Sequence, residues 1–330
     1  MDLFTHVLVA YLIAYGITGY APQYLAAGAL AGGLPDADVL FFPLAKRFPI
    51  LRHHGITHSL FGVTVVAIVG GIFLAPHIAP GNPWVYFLVM EAAGLAHIFL
   101  DGLTHFSVPP FLPFSEMKLE LDADRAINFI TLVVSIASFY LLLGVERNHV
   151  AFQYYLWTLW GLTAFFLLYF GLRLTARLRI GQILKRRPEF AVPVPTGNPF
   201  DWLLLKEERG DGRERTTYAE YRFGRGVVGG PWTIDVPTEG PAGSGPVASR
   251  EEALARTFSA AQKTSGMFDM TYHFGDARPS PVGGWDVFWY SLEFTAFGRS
   301  AGVRVHLDPD GTVHAKSSWY SPAKWAQELT

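Results

Sequence analysis

Residues 84–105 read WVYFLVMEAAGLAHIFLDGLTH, a run whose only groups ionisable near neutral pH are Glu91, His97, Asp101 and His105. Its length suits a membrane span, which takes about 20 residues. Charged or titratable groups at such depth are costly unless they pair with one another or with an ion. His97 and Asp101 stand four apart, so a helix turns both to one face. That spacing serves two ligands of one cation, or one ligand and the carboxylate that orients it. The plainer reading is a hydrogen-bonded pair on a helix surface, and the apolar surroundings favour ligation.

Working outward, the stretches 59–79, 126–145 and 150–172 are also long and apolar enough to span a bilayer, while 3–17 and 23–34 are shorter. The expectation is a polytopic, all-α bundle of four to six membrane helices. A basic cluster (Arg173, Arg177, Arg179, Lys185, Arg186, Arg187) follows the last run. By the positive-inside bias it lies in the cytoplasm, together with the 35–57 and 106–125 connections. Both termini are then cytoplasmic, and the protein is a multi-pass component of the cytoplasmic (inner) membrane. The opening Met-Asp-Leu-Phe-Thr-His has no basic n-region, so the first apolar run is expected to be retained.

The chain divides on composition into a membrane-embedded domain over 1–175, a basic and Pro-rich linker over 176–200, and a small soluble α+β domain over 201–330. Strands are expected at 201–208, 215–223, 267–274, 285–296, 301–307 and 312–318, with Asp308-Pro309-Asp310-Gly311 turning the last pair. One helix is expected over 249–262, with Ser249 as its N-cap and Glu251 and Glu252 in its first turn. A net charge of −2 and the absence of a Lys/Arg stripe with interleaved aromatics argue against nucleic acid. With no cysteine in the chain, disulfides and thiolate ligands are excluded, so any metal is held by nitrogen and oxygen.

Further histidines and aspartates cluster at the ends of the apolar runs. His6 is either a metal ligand or a satisfied core histidine. Pro35-Asp36-Ala37-Asp38 is either turn chemistry or a carboxylate corner for a divalent ion. In His53-His54-Gly55-Ile56-Thr57-His58, three histidines lie within six residues, and Thr57 doubles as an N-cap candidate. His105 is a ligand, a helix cap or a headgroup contact. Asp124 offers one more carboxylate and Arg125 a phosphate contact; a charged interfacial cap is the alternative. Glu91 either hydrogen-bonds within the bundle or marks a polar cavity. His77 and His149 fall at the opposite face, and His273, His306 and His314 fit ordinary strand histidines.

Together these residues resemble the YdjM-like family of membrane-bound metal-dependent hydrolases. The resemblance rests on His6, Leu34-Pro35-Asp36-x-Asp38, His53-x-Gly55-x-Thr57-His58-Ser59 and His97-x-x-x-Asp101-x-x-Thr104, followed by the Pro- and Phe-rich turn 108–114. It covers roughly residues 1–175. Some relatives carry a histidine directly after the second aspartate, where this chain has Val39; His105 stands where proline is common. The pattern is also similar, more distantly, to the helical zinc phospholipase C and P1 nuclease group.

The resemblance implies a hydrolase with one or more divalent ions, zinc by preference, held by a set drawn from His6, Asp36, Asp38, His53, His58, His97 and Asp101. It implies attack by activated water on a phosphoester or phospholipid headgroup, with Asp38 or Asp36 as the proton acceptor and Arg125 on the phosphate. The expected partners are membrane lipids, one of them a substrate; nothing specifies what the C-terminal domain binds. A divalent-ion transporter, or a non-catalytic anchor with a structural metal, are the alternatives.

Overall fold

The computed structural model describes residues 1–41, 47–48, 50, 53–104, 107–125, 127–147, 152–237, 246–264, 274–296 and 299–320. It falls into two compact units, Met1–Leu178 and Arg179–Thr330. The first is helical: α1 (Leu3–Thr18), α2 (Pro22–Gly33), α3 (Leu60–Ile78), α4 (Pro83–Gly102), α5 (Phe129–Arg147) and α6 (Phe152–Leu184). Within α3 the stretch Ala67–Leu74 is π-wound. Two 3₁₀ turns, Pro35–Phe41 and Ile56–His58, follow α2 and precede α3.

Local chemistry sets the helix starts. The Asp2 carboxylate accepts from Thr5 N at 2.9 Å to cap α1, Ser59 caps α3, and Asn82 caps α4 just ahead of Pro83 at the first helical position. These helices are apolar on every side, as helices immersed in lipid are. Close approach is bought with small residues: a Cβ on Gly32 of α2 would lie 2.3 Å from the Ala10 Cβ and 2.9 Å from the His6 carbonyl of α1. The same holds where Gly71 of α3 meets the Phe87 backbone of α4. On its other side α1 packs Leu8 and Leu12 against Leu142 of α5 and Leu159 and Phe166 of α6.

Three helices among the described residues have the length and hydropathy to cross a membrane: Leu60–Ile78, Pro83–Gly102 and Gln153–Leu184. The four to six spans read from the sequence are not reached by this measure. α1 has 16 residues, about 24 Å of helix against a hydrocarbon core of about 30 Å.

The segment after α4 caps its last carbonyls. Leu121 N donates to Gly102 O, while Ala123 N and Asp124 N both donate to Leu103 O. Asp124 Oδ1 then takes Arg173 Nη2 at 2.8 Å and Asn128 Nδ2 at 2.9 Å, and both charged groups are fully buried. The sequence reading places Arg173 with the exposed basic cluster. Instead it turns inward, because a carboxylate held on the α4 end lies within its reach.

The second unit is α+β. β1 (Val192–Pro195), β2 (Asp201–Gly210), β3 (Arg213–Arg222) and β4 (Gly226–Pro237) form one antiparallel meander; β5 (Phe274–Pro279), β6 (Trp285–Ala296), β7 (Arg299–Leu307) and β8 (Val313–Tyr320) form another. α7 (Arg250–Lys263) lays Ala253, Leu254, Phe258 and Ala261 on Val287, Trp289, Val303 and Val305 of the second sheet. Trp289 Nε1 donates to Thr257 Oγ1 at 2.9 Å, so the buried indole is satisfied.

Two strands escaped the sequence reading. β1 lies in the stretch read as a linker, where its prolines suit an edge strand. β4 is broken by Gly and Pro, with Gly230 at φ +92 and a register shift opposite Tyr218–Glu220. The expected strand 267–274 lies almost wholly outside the described residues, with β5 beginning at Phe274.

Candidate metal centre

Four chain segments meet at one end of the first unit. α1 supplies His6, the turn after α2 supplies Asp36 and Asp38, the turn before α3 supplies His58, and the last turns of α4 supply His97 and Asp101. His6, Asp38, His58, His97 and Asp101 are all buried. Asp36 keeps 20 % of its side chain exposed and faces solvent.

His58, His97, Asp36 and Asp101 each bring one donor atom within 4.8 Å of all the others. Four of the edges are short. His58 Nε2 and His97 Nε2 lie 3.4 and 3.2 Å from Asp101 Oδ2, and 3.6 and 3.7 Å from Asp36 Oδ1. Four ligands about 2.0–2.1 Å from a tetrahedral zinc stand about 3.3–3.4 Å apart, so the donors already have nearly that spacing. Moreover, His58 Nε2, His97 Nε2 and Asp101 Oδ2 are buried and make no hydrogen bond of acceptable geometry. Three converging polar atoms left without such bonds are costly, and a divalent ion satisfies all of them at once. The residues present therefore fit a metal ion.

The groups behind the donors point the same way. His97 Nδ1 lies 2.7 Å from Gly32 O, which fixes its proton there and leaves Nε2 with a lone pair. His58 Nδ1 lies 3.2 Å from Asp38 Oδ2, with the same consequence. Asp38 is occupied elsewhere too: Oδ1 meets His53 Nδ1 at 2.6 Å and Oδ2 accepts from Thr57 Oγ1 at 2.7 Å. With both oxygens engaged on imidazoles and a hydroxyl, Asp38 stands as an orienting carboxylate outside the four-donor group, whereas the sequence offers it as one of seven candidate ligands and as the preferred proton acceptor. His6 stacks on His97 with ring centroids 3.8 Å apart, and its Nε2 meets the other Asp101 oxygen at 3.0 Å. The Met1 amino group contacts that same oxygen.

The electrostatics demand a cation. Burial disfavours a charged His58, yet the facing carboxylates of Asp101, Asp36 and Asp38 overcome this and push its pKa up to about 10. Burial alone would raise Asp36 and Asp38, but their histidine neighbours hold both below the usual carboxylate range. Without an ion, a proton on His58 supplies the missing charge; a divalent ion displaces that proton. Burial, with His58 beside it, holds the pKa of His54 well below the ordinary histidine value.

His53, His54 and His58 form a second trio within 4.8 Å. The two groups share His58, and the buried atoms without good hydrogen bonds belong to the four-donor group. His54, at φ +59 with Nε2 3.8 Å from Asp101 Oδ2, is absent from the set expected from sequence. Its spacing of four from His58 is the signal that could have found it. The Gly32 carbonyl has no side-chain signature at all.

Arg125 is placed beside Asp124 and Arg173, not in the donor group; burial lowers its pKa, with the Asp124 carboxylate opposing. Glu91 accepts from Thr64 at 2.9 Å between α4 and α3. His306 lies between Asp286 and Asp308, and His314 bonds Asp308 at 2.9 Å. His105, His149 and His273 lie outside the described residues.

A family model, YdjM inner membrane protein, matches residues 1–180. No curated protein and no solved structure matches the chain. The distant likeness to zinc phospholipase C and P1 nuclease therefore rests on the quoted motif residues alone.

Proposed function

This chain belongs to the YdjM inner membrane protein family, and on that premise we propose that it is a metal-dependent hydrolase of phosphoesters at the cytoplasmic membrane face. The observation that carries the proposal is the set of buried donor atoms on His58, His97 and Asp101, spaced for an ion and without good hydrogen bonds, beside a solvent-facing Asp36. A nitrogen and oxygen set of this size favours zinc. When bound, the ion lowers the pKa of a water toward 7 and offsets charge on a phosphoryl oxygen.

The chain's own residues do the rest. Asp101 and His97 are fixed on one helix face and His58 on a short turn, so the donors need no rearrangement to act together. Asp38 and the Gly32 carbonyl hold the two imidazoles in the tautomer that presents Nε2. Asp36 borders solvent and marks the side from which a headgroup approaches. His54, which burial and the neighbouring His58 keep neutral, borders the site with Nε2 3.8 Å from Asp101 Oδ2. The protein is read as multi-pass with both termini cytoplasmic, so that a lipid headgroup reaches the site while its acyl chains stay in the bilayer.

The test is metal analysis of the purified protein, wild type against His58→Ala and Asp101→Ala, with hydrolysis of phospholipids and of a generic phosphodiester measured in parallel. Loss of metal and of hydrolysis together is expected. Unchanged metal content in both variants would overturn the site. Metal retained by the wild type with no hydrolysis of any ester would favour a structural metal in an anchor. Metal moving across a sealed vesicle would favour transport, for which the Thr64–Glu91 pair is the observation in hand.

A further inference from the structure

The second unit contains a cleft unrelated to the histidine cluster. Its walls are the end of α6, with Arg179, Gln182 and Ile183, the turn after it, with Arg186, and the β3–β4 turn with Tyr221, Gly224 and Gly226. Its volume is about 260 Å³. Positions 179, 182 and 183 are spaced to share one helix face, and Arg186 follows in the turn that closes the helix, its N–H donating to Ile183 O. Arg179 is held over the Phe223 ring, its guanidinium carbon 5.7 Å from the centroid. Tyr221 is buried beneath, and Gly224 and Gly226 adopt φ +85 and +81, so no Cβ crowds the turn.

Charge separates Arg179 and Arg186 from the other arginines of the segment, and Lys185, also without a carboxylate partner among the described residues, does not line the cleft. Within residues 173–187, Arg173 pairs with Asp124, Arg177 faces Asp122 and Arg187 faces Glu189. Arg179 and Arg186 have no carboxylate partner among the described residues, and no acidic residue lines the cleft. The C-terminal end of a helix carries about half a negative charge, which two guanidiniums outweigh. Guanidinium forks match phosphate oxygens in geometry as well as charge. The cleft also begins only seven residues beyond the apolar run that ends at 172, in a stretch with no acidic residue between 152 and 188. Basic segments just past a membrane helix meet anionic lipid headgroups.

We propose that this cleft, between Arg179 on α6, Arg186 in the turn that follows it and the Tyr221–Gly226 turn, binds the phosphate of an anionic ligand, a phospholipid headgroup in the first instance. Gln182 and the Tyr221 hydroxyl supply neutral hydrogen bonds, and Ile183 gives an apolar wall. The inference does not depend on the hydrolase reading.

The full chain in neutral detergent is titrated with dioctanoyl phosphatidate, with phosphatidylcholine of equal chain length and with inorganic phosphate, and bound ligand is counted by native mass spectrometry. Arg179→Gln with Arg186→Gln should weaken phosphatidate binding by about tenfold or more. Lys185→Gln with Arg187→Gln, which removes the same charge from the same segment outside the cleft, should leave it within about twofold. Metal content and thermal midpoint serve as folding controls. Should the double variant fail to fold, Arg186→Gln alone, in the exposed turn, gives the reading, with Tyr221→Phe as the mildest probe. Competition by millimolar inorganic phosphate with the same variant pattern would support a soluble phosphate as the ligand. Equal loss in both double variants, or equal binding of phosphatidylcholine, would overturn the proposal.

Discussion

Replacing Asp38 by asparagine separates an orienting carboxylate from a ligand. In the structure Asp38 takes His53 Nδ1 at 2.6 Å, Thr57 Oγ1 at 2.7 Å and His58 Nδ1 at 3.2 Å. Asparagine keeps the shape but offers one acceptor oxygen in place of two, so the three donors cannot all be served. An amide NH₂ turned toward His58 would favour the tautomer with its proton on Nε2, the nitrogen facing the other donors. Losing such an outer contact weakens metal binding about 10–100-fold, or about 1.4–2.7 kcal/mol. Removing Asp101 or His58 removes a donor outright and should leave no stoichiometric zinc. Thr57→Val, which deletes one hydrogen bond to Asp38, should cost about 0.5–1.5 kcal/mol. The assay is competition for zinc against a chromogenic chelator, on detergent-purified protein at one pH. Wild-type affinity in Asp38→Asn would refute the orienting role. Complete loss of zinc, as in His58→Ala, would refute it in the other direction and make Asp38 a ligand.

Three further outcomes are expected. In the metal-free protein His58 has a pKa raised to about 10, so its charged form stabilises the fold fully below about 6.5, and that contribution is lost as pH rises toward 10. Thermal midpoints with chelator should therefore fall across that window, whereas saturating zinc should flatten the dependence; a flat metal-free profile would contradict the electrostatic reading. Arg173→Met leaves the buried Asp124 carboxylate without its cation and should destabilise by about 3–5 kcal/mol, with Arg173→Met plus Asp124→Leu recovering much of the loss. Gly32→Val places a side chain into Ala10 and the His6 carbonyl, and should lower both the thermal midpoint, by overpacking of about 1–3 kcal/mol, and zinc affinity.

Much of the donor group is legible in the chain because helical spacing is a local property. His97 and Asp101 announce a shared face by their separation alone, and the histidine-rich turn before α3 announces itself by density. The choice between Asp36 and Asp38 is not local. In the 3₁₀ turn after α2 both carboxylates come near His58, and what separates them is which of its ring nitrogens each faces, a matter of tertiary placement. The inward turn of Arg173 is not local either. A run of basic residues reads as a solvated face, whereas Asp124, fixed on the α4 carbonyls, draws Arg173 into the interior. In the second unit the strands with alternating apolar residues are readable, but β1 and β4 hide behind Pro and Gly, which mark turns as often as edges and bulges.

The four donors come from stretches spread from residue 36 to residue 101, His6 of α1 stacks on His97, and His97 is oriented by a carbonyl of a further stretch, the last turn of α2. No single helix or turn holds more than two of the four donors, so tight ion capture must wait until the turn after α2, the turn before α3 and α4 have docked, with α1 bracing them through His6. On the proposed metal-binding reading, ion capture is then expected late in biogenesis. A chelator added during synthesis should trap immature protein that the same chelator, added after assembly, releases only slowly.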